Sequence, residues 1–465
     1  MSSHDTPTIY AELLTNIRQL SIAVTLSSPA GGQTRALIAP NGETLHIHHA
    51  GTETSFPLPG KVLAHAGAPA ALPTPPPSAS SSASQTLSWR LPLADSPAAR
   101  SGSTSLADDP VPWTARDLLP GSAVACRRCA AVVVPGGKAG EWKDLPSENW
   151  AEMMDFWHCH KPSTDREDEH EHGGVSGEGK EKDDHEHLTR RGYGANSSIA
   201  AQPGVGMVDL TSFLFCEADC VGLKFSPPSS DAAPPASSSS EVLAGGGAGD
   251  SDSDSASDPT EPPPRMLNIA CSACASHLGF FNVAISSVVL LKWQVSCQTS
   301  TSHPTATATA LPSSTDCLAA TLIATLSRSG SSKSVVVPAF QSTQNPVSSS
   351  SGDGGDAAPP ALHLWILNSN ITYASSSFPS SSSSPHQRTK RAAIKLLYKE
   401  ISQAEADDML ESMTSDVQEV NLPLPAIVAA AEGLKQSSRF LPPGERVFKG
   451  WNVGLLDKWE PASLS

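Results

Sequence analysis

The chain reads as an α+β protein: a strand-rich core of antiparallel sheets, tied by a four-cysteine zinc site, with a helical C-terminal part and long disordered insertions. Three observations predict this. Two Cys-x-x-Cys knuckles, Cys126/Cys129 in ACRRCAAVVV and Cys271/Cys274 in IACSACASHLG, each lead through small residues into an apolar or β-prone run. Short β-prone runs bounded by turn residues dominate the first three quarters, whereas the last quarter shows the three-and-four spacing of amphipathic helices. Forty prolines, long serine runs and 5% aromatic residues leave much of the 465-residue chain without core-forming composition. About 300 residues remain able to pack, enough for one or two ordinary domains.

The knuckles carry the metal chemistry. Zn²⁺ takes four soft donors, and a two-residue spacer lets both sulfurs of a pair reach one ion at about 2.3 Å. Cys126, Cys129, Cys271 and Cys274 would close a tetrahedral shell with no position left for water, so the zinc is structural. The competing reading is four ordinary buried thiols. The β-prone runs Ala130 to Val134 and Ala275 to Phe281 favour zinc, since a knuckle leads into a strand.

The elements follow in order. Residues 10–26 run into alternating apolar positions, and RALIAP-NG-ETLHIHH reads as a hairpin around a primed Asn41-Gly42 turn. After a Pro/Ala/Ser-rich loop, TLSWRLPL is a strand with Trp89 on one face, and WTARDLL reads as a short helix before the first knuckle. This N-terminal part spans residues 1–162 and ends in a helix through LPSENWAEMMDFWHCHKP. An acidic, His-rich disordered insertion covers 163–205, and a strand pair, MVDLTSFLF with VGLKFS, covers 206–228. A second, Ser/Asp-rich insertion follows at 229–264. The C-terminal part, 265–465, holds the second knuckle, a buried strand SVVLLKWQVSC, helical spacing in CLAATLIATLSRSG, and strands SVVVPAF and ALHLWILNSNITYAS. AAIKLLYKEIS, AEADDMLESM and LPAIVAAAEGLKQ then read as amphipathic helices, with Pro425 near the start of the third, where a missing N–H costs nothing. The aromatic- and glycine-rich close, FLPPGERVFKGWNVGLLDKWE, reads as docked.

Charge excludes some partners. Residues 163–190 and 229–264 carry net charges of −6 and −7, thirteen of the net sixteen negative charges, so the remainder is nearly neutral. A near-neutral core without a basic stripe gives no footprint for direct nucleic-acid binding. No apolar run approaches the roughly 20 residues that cross a bilayer, and no signal-peptide pattern opens the chain. A soluble, intracellular protein with no membrane partner is expected. Nine cysteines, an odd number with metal spacing, fit a reducing compartment.

The stretch from Leu145 to Pro162 places Trp150, Met153, Met154 and Trp157 on one helical face and ends in His158-Cys159-His160 before Lys161-Pro162. Four readings compete: the tryptophans anchor a helix whose His-Cys-His end is an exposed cap; Cys159 or a flanking imidazole joins Cys216 and Cys220 in a second metal site; Cys159 is a low-pKa thiolate; or the tip reaches into a partner's metal site. His170, His172, His185 and His187 lie in the acidic insertion and read as solvated, and SDSDSASD at 251–258 reads as an acidic-directed phosphorylation tract.

Together WTARDLLPGSAVACRRC, LPSENWAEMMDFWHCHKP, CSACASHLG, AIKLLYKEI and FLPPGERVFKGWNVGLLDKW resemble the HECT-like ubiquitin ligase family, also described as ubiquitin-conjugating-enzyme binding proteins. The likeness runs from about residue 10 to 460 and leaves out the insertions. It implies a cytoplasmic and nuclear protein that binds a ubiquitin-conjugating enzyme, accepts ubiquitin as a thioester and transfers it to target lysines. That step needs an accessible thiolate, because a thiolate accepts an acyl group from another thioester with little change in free energy. Conventional HECT domains keep this cysteine near the carboxyl terminus, and this chain has none after Cys317. With four cysteines on zinc, the acceptors left are Cys159, Cys216, Cys220, Cys297 and Cys317, of which Cys159 is best placed. The resemblance also implies a link to pre-mRNA 3′-end cleavage, in which Trp150, Trp157, His158, Cys159 and His160 would engage a metallo-β-lactamase-type endonuclease. A thiolate or imidazole on a helix end can fill the open position of a catalytic zinc.

Overall fold

A computed structural model describes residues 6–63, 68–74, 85–94, 110–145, 199–227, 266–299, 311–339, 361–378, 390–412 and 414–460. The N-terminal strands are β1 (Thr8–Leu14), β2 (Gln19–Leu26), β3 (Arg35–Ile38), β4 (Thr44–His49), β5 (Thr52–Pro57), β6 (Ala70–Leu72) and β7 (Gln85–Pro92). The middle of the chain supplies β8 (Val124–Cys126), β9 (Val132–Val134), β10 (Glu141–Asp144), β11 (Val205–Val208), β12 (Ser212–Cys216), β13 (Leu223–Ser226), β14 (Met266–Cys271), β15 (His277–Asn282), β16 (Ser287–Leu291) and β17 (Val295–Ser296). The rest holds α1 (Ser314–Ser329), β18 (Lys333–Pro338), β19 (Ala361–Ser375), β20 (Arg391–Ile401), α2 (Gln403–Glu411), β21 (Val417–Leu422), α3 (Leu424–Ser438), β22 (Val447–Phe448) and β23 (Trp451–Asp457).

The largest sheet runs β22-β23-β20-β19-β1-β2-β7, with β18 on β19 and β21 on β18. It joins the chain's beginning to its end: Tyr10 of β1 lies opposite Ser375 of β19. On one face α1 and α3 bury Leu318, Leu322, Ile427 and Leu434 against Leu362, Leu364, Leu396 and Tyr398. On the other, Tyr10, Tyr373, Leu397 and Val453 pack with Phe378 and Phe440. Here Lys395 pairs with the buried Glu12 at 2.8 Å, and Glu12 also accepts from the Tyr10 hydroxyl at 2.7 Å. Ile9, Ile22, Val24 and Trp89 pack against Ile38, Leu45 and Ile47 of the four-stranded β5-β4-β3-β6 sheet. The second large sheet, β10-β11-β12-β16-β15-β14-β13, and the small β17-β8-β9 sheet share one core around Trp113, Trp142, Phe213 and Phe215. Trp459, just past β23, is buried in that same core, so the closing segment is docked.

Strand-rich antiparallel architecture is as expected, with corrections. The C-terminal part is not predominantly helical. AAIKLLYKEIS forms β20, because a central strand is buried on both faces: Ile394, Leu396 and Tyr398 lie under the helices while Ala393 and Leu397 face the opposite core. Such a run shows no clean alternation and mimics helical spacing. AEADDMLESM and LPAIVAAAEGLKQ do form α2 and α3, and CLAATLIATLSRSG forms α1. Capping boxes at Ser313/Asp316 and Ser402/Glu405 start α1 and α2. WTARDLL is a turn instead of a helix, since the Asp117 carboxylate accepts from both the backbone N–H and the hydroxyl of Thr114, offering the chain a local alternative. The β3–β4 hairpin closes through a longer loop than a two-residue primed turn. Gly42 N–H donates to Ala39 O, and Gly42 alone of the pair has positive φ, 72°. An added Cβ there would lie 2.5 Å from Val62 O. No helix among the described residues is long and apolar enough to cross a membrane.

Lys292, fully buried after β16, donates to Pro112 O at 2.6 Å and sits 5.7 Å from the Phe213 ring centroid. Burial pushes its pKa down from 10.5 to about 8. Its charged form is therefore penalised in the folded state: the penalty is absent above the unfolded pKa, grows as pH falls toward about 8, and is constant below. At about 1.4 kcal/mol per pH unit this amounts to about 3 kcal/mol. Lys292→Met should therefore be more stable than wild type at pH 7, by about 2 kcal/mol after about 1 kcal/mol is deducted for the orphaned Pro112 carbonyl. Urea unfolding from pH 7 to 10.5 checks this, and the variant's advantage should shrink as pH rises.

Candidate metal centre

Each knuckle is built by the same backbone device. In the first, Cys126 ends β8, Cys126 N–H donates to Ala131 O and Ala130 N–H returns to Cys126 O, both at 2.8 Å, with Ala130 at φ 60°. In the second, Cys271 ends β14, Cys271 N–H donates to Ser276 O and Ala275 N–H to Cys271 O, again at 2.8 Å, with Ala275 at φ 56°. The left-handed alanine reverses the chain into β9 in one case and toward β15 in the other. The small residue that follows each Cys-x-x-Cys in the sequence occupies this position.

The two turns face each other. Cys126 Sγ lies 3.7 Å from Cys274 Sγ, Cys129 Sγ lies 3.7 Å from Cys271 Sγ, and all four sulfurs fall within 4.8 Å of one another. A tetrahedral zinc with bonds of about 2.3 Å has sulfur–sulfur edges of about 3.8 Å, so the separations fit the ion. Cys126 and Cys271 are buried, Cys274 is half-buried and Cys129 is exposed. Burial raises the Cys271 thiol, but backbone N–H groups of Cys274 and Ala273 aimed at its sulfur bring it to about 7, below its ordinary 9. At Cys126 burial wins and the pKa rises, although the N–H groups of Cys129 and Arg128 act in the same lowering sense. The four donors are equivalent in type and enclose one point, an arrangement that could hold a metal without offering it a substrate position.

Neighbouring segments brace the cluster. Val221 N–H donates to Val133 O beside the first knuckle, and Ser272 N–H of the second donates to Gly222 O, so residues 221–222 bridge both. Cys126 pairs with Val295 of β17, and the Arg127 guanidinium donates to Trp293 O and Pro312 O just ahead of α1. Nothing in the sequence marks these braces. Their role depends on tertiary neighbours of otherwise ordinary residues.

The other described cysteines are not gathered into this group. Cys220 donates to Cys216 O at 3.5 Å and burial pushes its thiol up to about 12. Burial likewise raises Cys297 and the fully buried Cys317 to about 12. Trp150, Trp157, His158, Cys159 and His160 lie outside the described residues. Their segment connects β10 to β11, adjacent parallel strands held at this end by Leu145 N–H donating to Val208 O at 2.7 Å.

A sheet-rich chain in which two knuckles gather four thiols is compatible with a metal-braced scaffold. Residues 12–453 match the HECT-like ubiquitin-conjugating enzyme (E2)-binding family, and the chain belongs to it. A stretch of 54 residues is 44% identical to an uncharacterized protein of Schizosaccharomyces pombe, and one of 52 residues is 38% identical to an uncharacterized protein of Saccharomyces cerevisiae. Each match covers 11% of this chain and 15% of the relative. No solved structure matches.

The cluster predicts a direct dependence on metal. Structural zinc contributes on the order of 10 kcal/mol in small domains. Chelation, or Cys271→Ala, should expose the region around β8, β9 and β14 to proteolysis and hydrogen exchange, leaving the α1/α3 face of the large sheet protected longest. Uniform protection with and without metal would contradict it.

Proposed function

We propose that this chain binds a ubiquitin-conjugating enzyme and promotes transfer of ubiquitin to target lysines, with one structural zinc at Cys126, Cys129, Cys271 and Cys274. Membership of an E2-binding family across residues 12–453 carries the reading. The zinc would hold the two knuckles together and supply no chemistry to the transfer, because a four-thiolate shell is closed. Exclusion narrows the choice of acceptor thiol. Cys220, Cys297 and Cys317 are held as protonated thiols by burial, and the four clustered cysteines would be committed to zinc. Cys216 is half-buried at the end of β12. Cys216 and Cys159 therefore remain, and Cys159, flanked by two imidazoles in the sequence, is the better candidate nucleophile for the thioester.

The scarcity of activated thiols among the described residues also favours a second, non-catalytic reading. In it, the segment carrying Trp150, Trp157, His158, Cys159 and His160 donates a ligand to the active-site metal of a metallo-β-lactamase-type 3′-end-processing endonuclease, inhibiting or chaperoning it. Either activity fits a protein of cytoplasm and nucleus.

The readings separate in a paired assay. Wild type mixed with a charged conjugating enzyme should form a ubiquitin adduct that reducing agent cleaves, and Cys159→Ala should abolish it while Cys216→Ala does not. Absence of any adduct with several conjugating enzymes, together with endonuclease pull-down that Cys159→Ala removes, would replace ligase by inhibitor.

A further inference from the structure

A second group of metal-competent side chains lies on the outer face of the four-stranded sheet. In β4, Leu45 and Ile47 point into the core while His46 and His48, two residues apart, point out. On β5, Glu53 stands directly opposite His48. One oxygen, Glu53 Oε1, lies 3.6 Å from His46 Nδ1 and 3.5 Å from His48 Nε2. Both separations are too long for good hydrogen bonds, and His46 Nδ1 is a buried atom with no hydrogen-bond partner. They are close to the edge of about 3.4 Å that two ligands make on a tetrahedral ion with bonds of about 2.1 Å.

We propose that His46, His48 and Glu53 form a second, exchangeable zinc site, independent of the cysteine cluster. Two imidazoles and a carboxylate are the ligand set of zinc centres that keep one position open. The remaining edge, nitrogen to nitrogen, is longer than 4.8 Å as the side chains stand, so binding requires the two imidazoles to turn toward Glu53 through neighbouring rotamers. On the neighbouring strand β3, His46 and His48 stand opposite Leu37 and Arg35, neither of which supplies a ligand. Water therefore takes the fourth position. Side-chain exposures of 31%, 41% and 57% leave the ion in contact with solvent, in contrast to the enclosed sulfur site. The signal is invisible in the sequence, because Glu53 joins the histidine pair through the β4–β5 register.

The test uses the full chain with its cysteine cluster loaded and with His170→Ala, His172→Ala, His185→Ala and His187→Ala, so that the acidic insertion's histidines do not contribute. Zn²⁺ is titrated in competition with a chromophoric chelator. One further equivalent should bind, and His46→Gln or His48→Gln should each weaken it at least about tenfold, about 1.4 kcal/mol. Both variants should keep the first equivalent and the circular dichroism of the parent, since the substituted side chains face solvent. Absence of a further equivalent at about 100 μM zinc, or binding that neither substitution weakens, overturns the site.

Discussion

The meeting of two Cys-x-x-Cys turns is the constraint on which the middle of the molecule depends. Cys126 belongs to the small β17-β8-β9 sheet and Cys274 follows the last-but-one strand of the seven-stranded sheet, 148 residues later, yet their sulfurs lie 3.7 Å apart. Four thiols this close cannot all ionise without a cation among them, because like charges at such distances repel strongly. A divalent metal bound there would convert that repulsion into a bond between the two sheets. The braces at Val221, Gly222 and Arg127 then fix where the strands and α1 sit around it.

The large sheet solves a different problem, that of joining the ends of a chain with long insertions. β1 pairs with β19, and the Glu12–Lys395 ion pair joins β1 to β20 across the sheet on one face. Glu12 is buried and Lys395 partly so, and the pair shares Tyr10 as a third member, whose phenol burial and Glu12 together hold protonated. Removing Lys395 would leave the buried Glu12 carboxylate without its cation. Trp459 carries the same continuity onward, since the strand before it belongs to the large sheet while its own ring is buried with Trp113 and Phe213. The two cores are thus linked by covalent chain as well as by contact.

Much of this was legible in the residues, for physical reasons that also explain the misses. Strands with one buried face, such as β4 and β7, announce themselves by alternation, and the knuckles by the two-residue spacing that sulfur chelation requires. β20 hid because both its faces are covered, so its apolar residues carry no period of two. The WTARDLL turn hid because a single carboxylate, Asp117, outcompetes helical propensity locally. The grouping of the four cysteines could be read directly, whereas the braces and the His46/His48/Glu53 juxtaposition exist only once register places distant residues side by side.

The identity of the atoms around the cluster is the point on which the whole account turns. Zinc K-edge absorption on protein carrying a single equivalent of zinc reads it directly. Four sulfur neighbours at about 2.3 Å are predicted. A first shell with nitrogen or oxygen ligands, or with fewer than four sulfurs, would contradict the account, because the two knuckles would then not be closed on one ion.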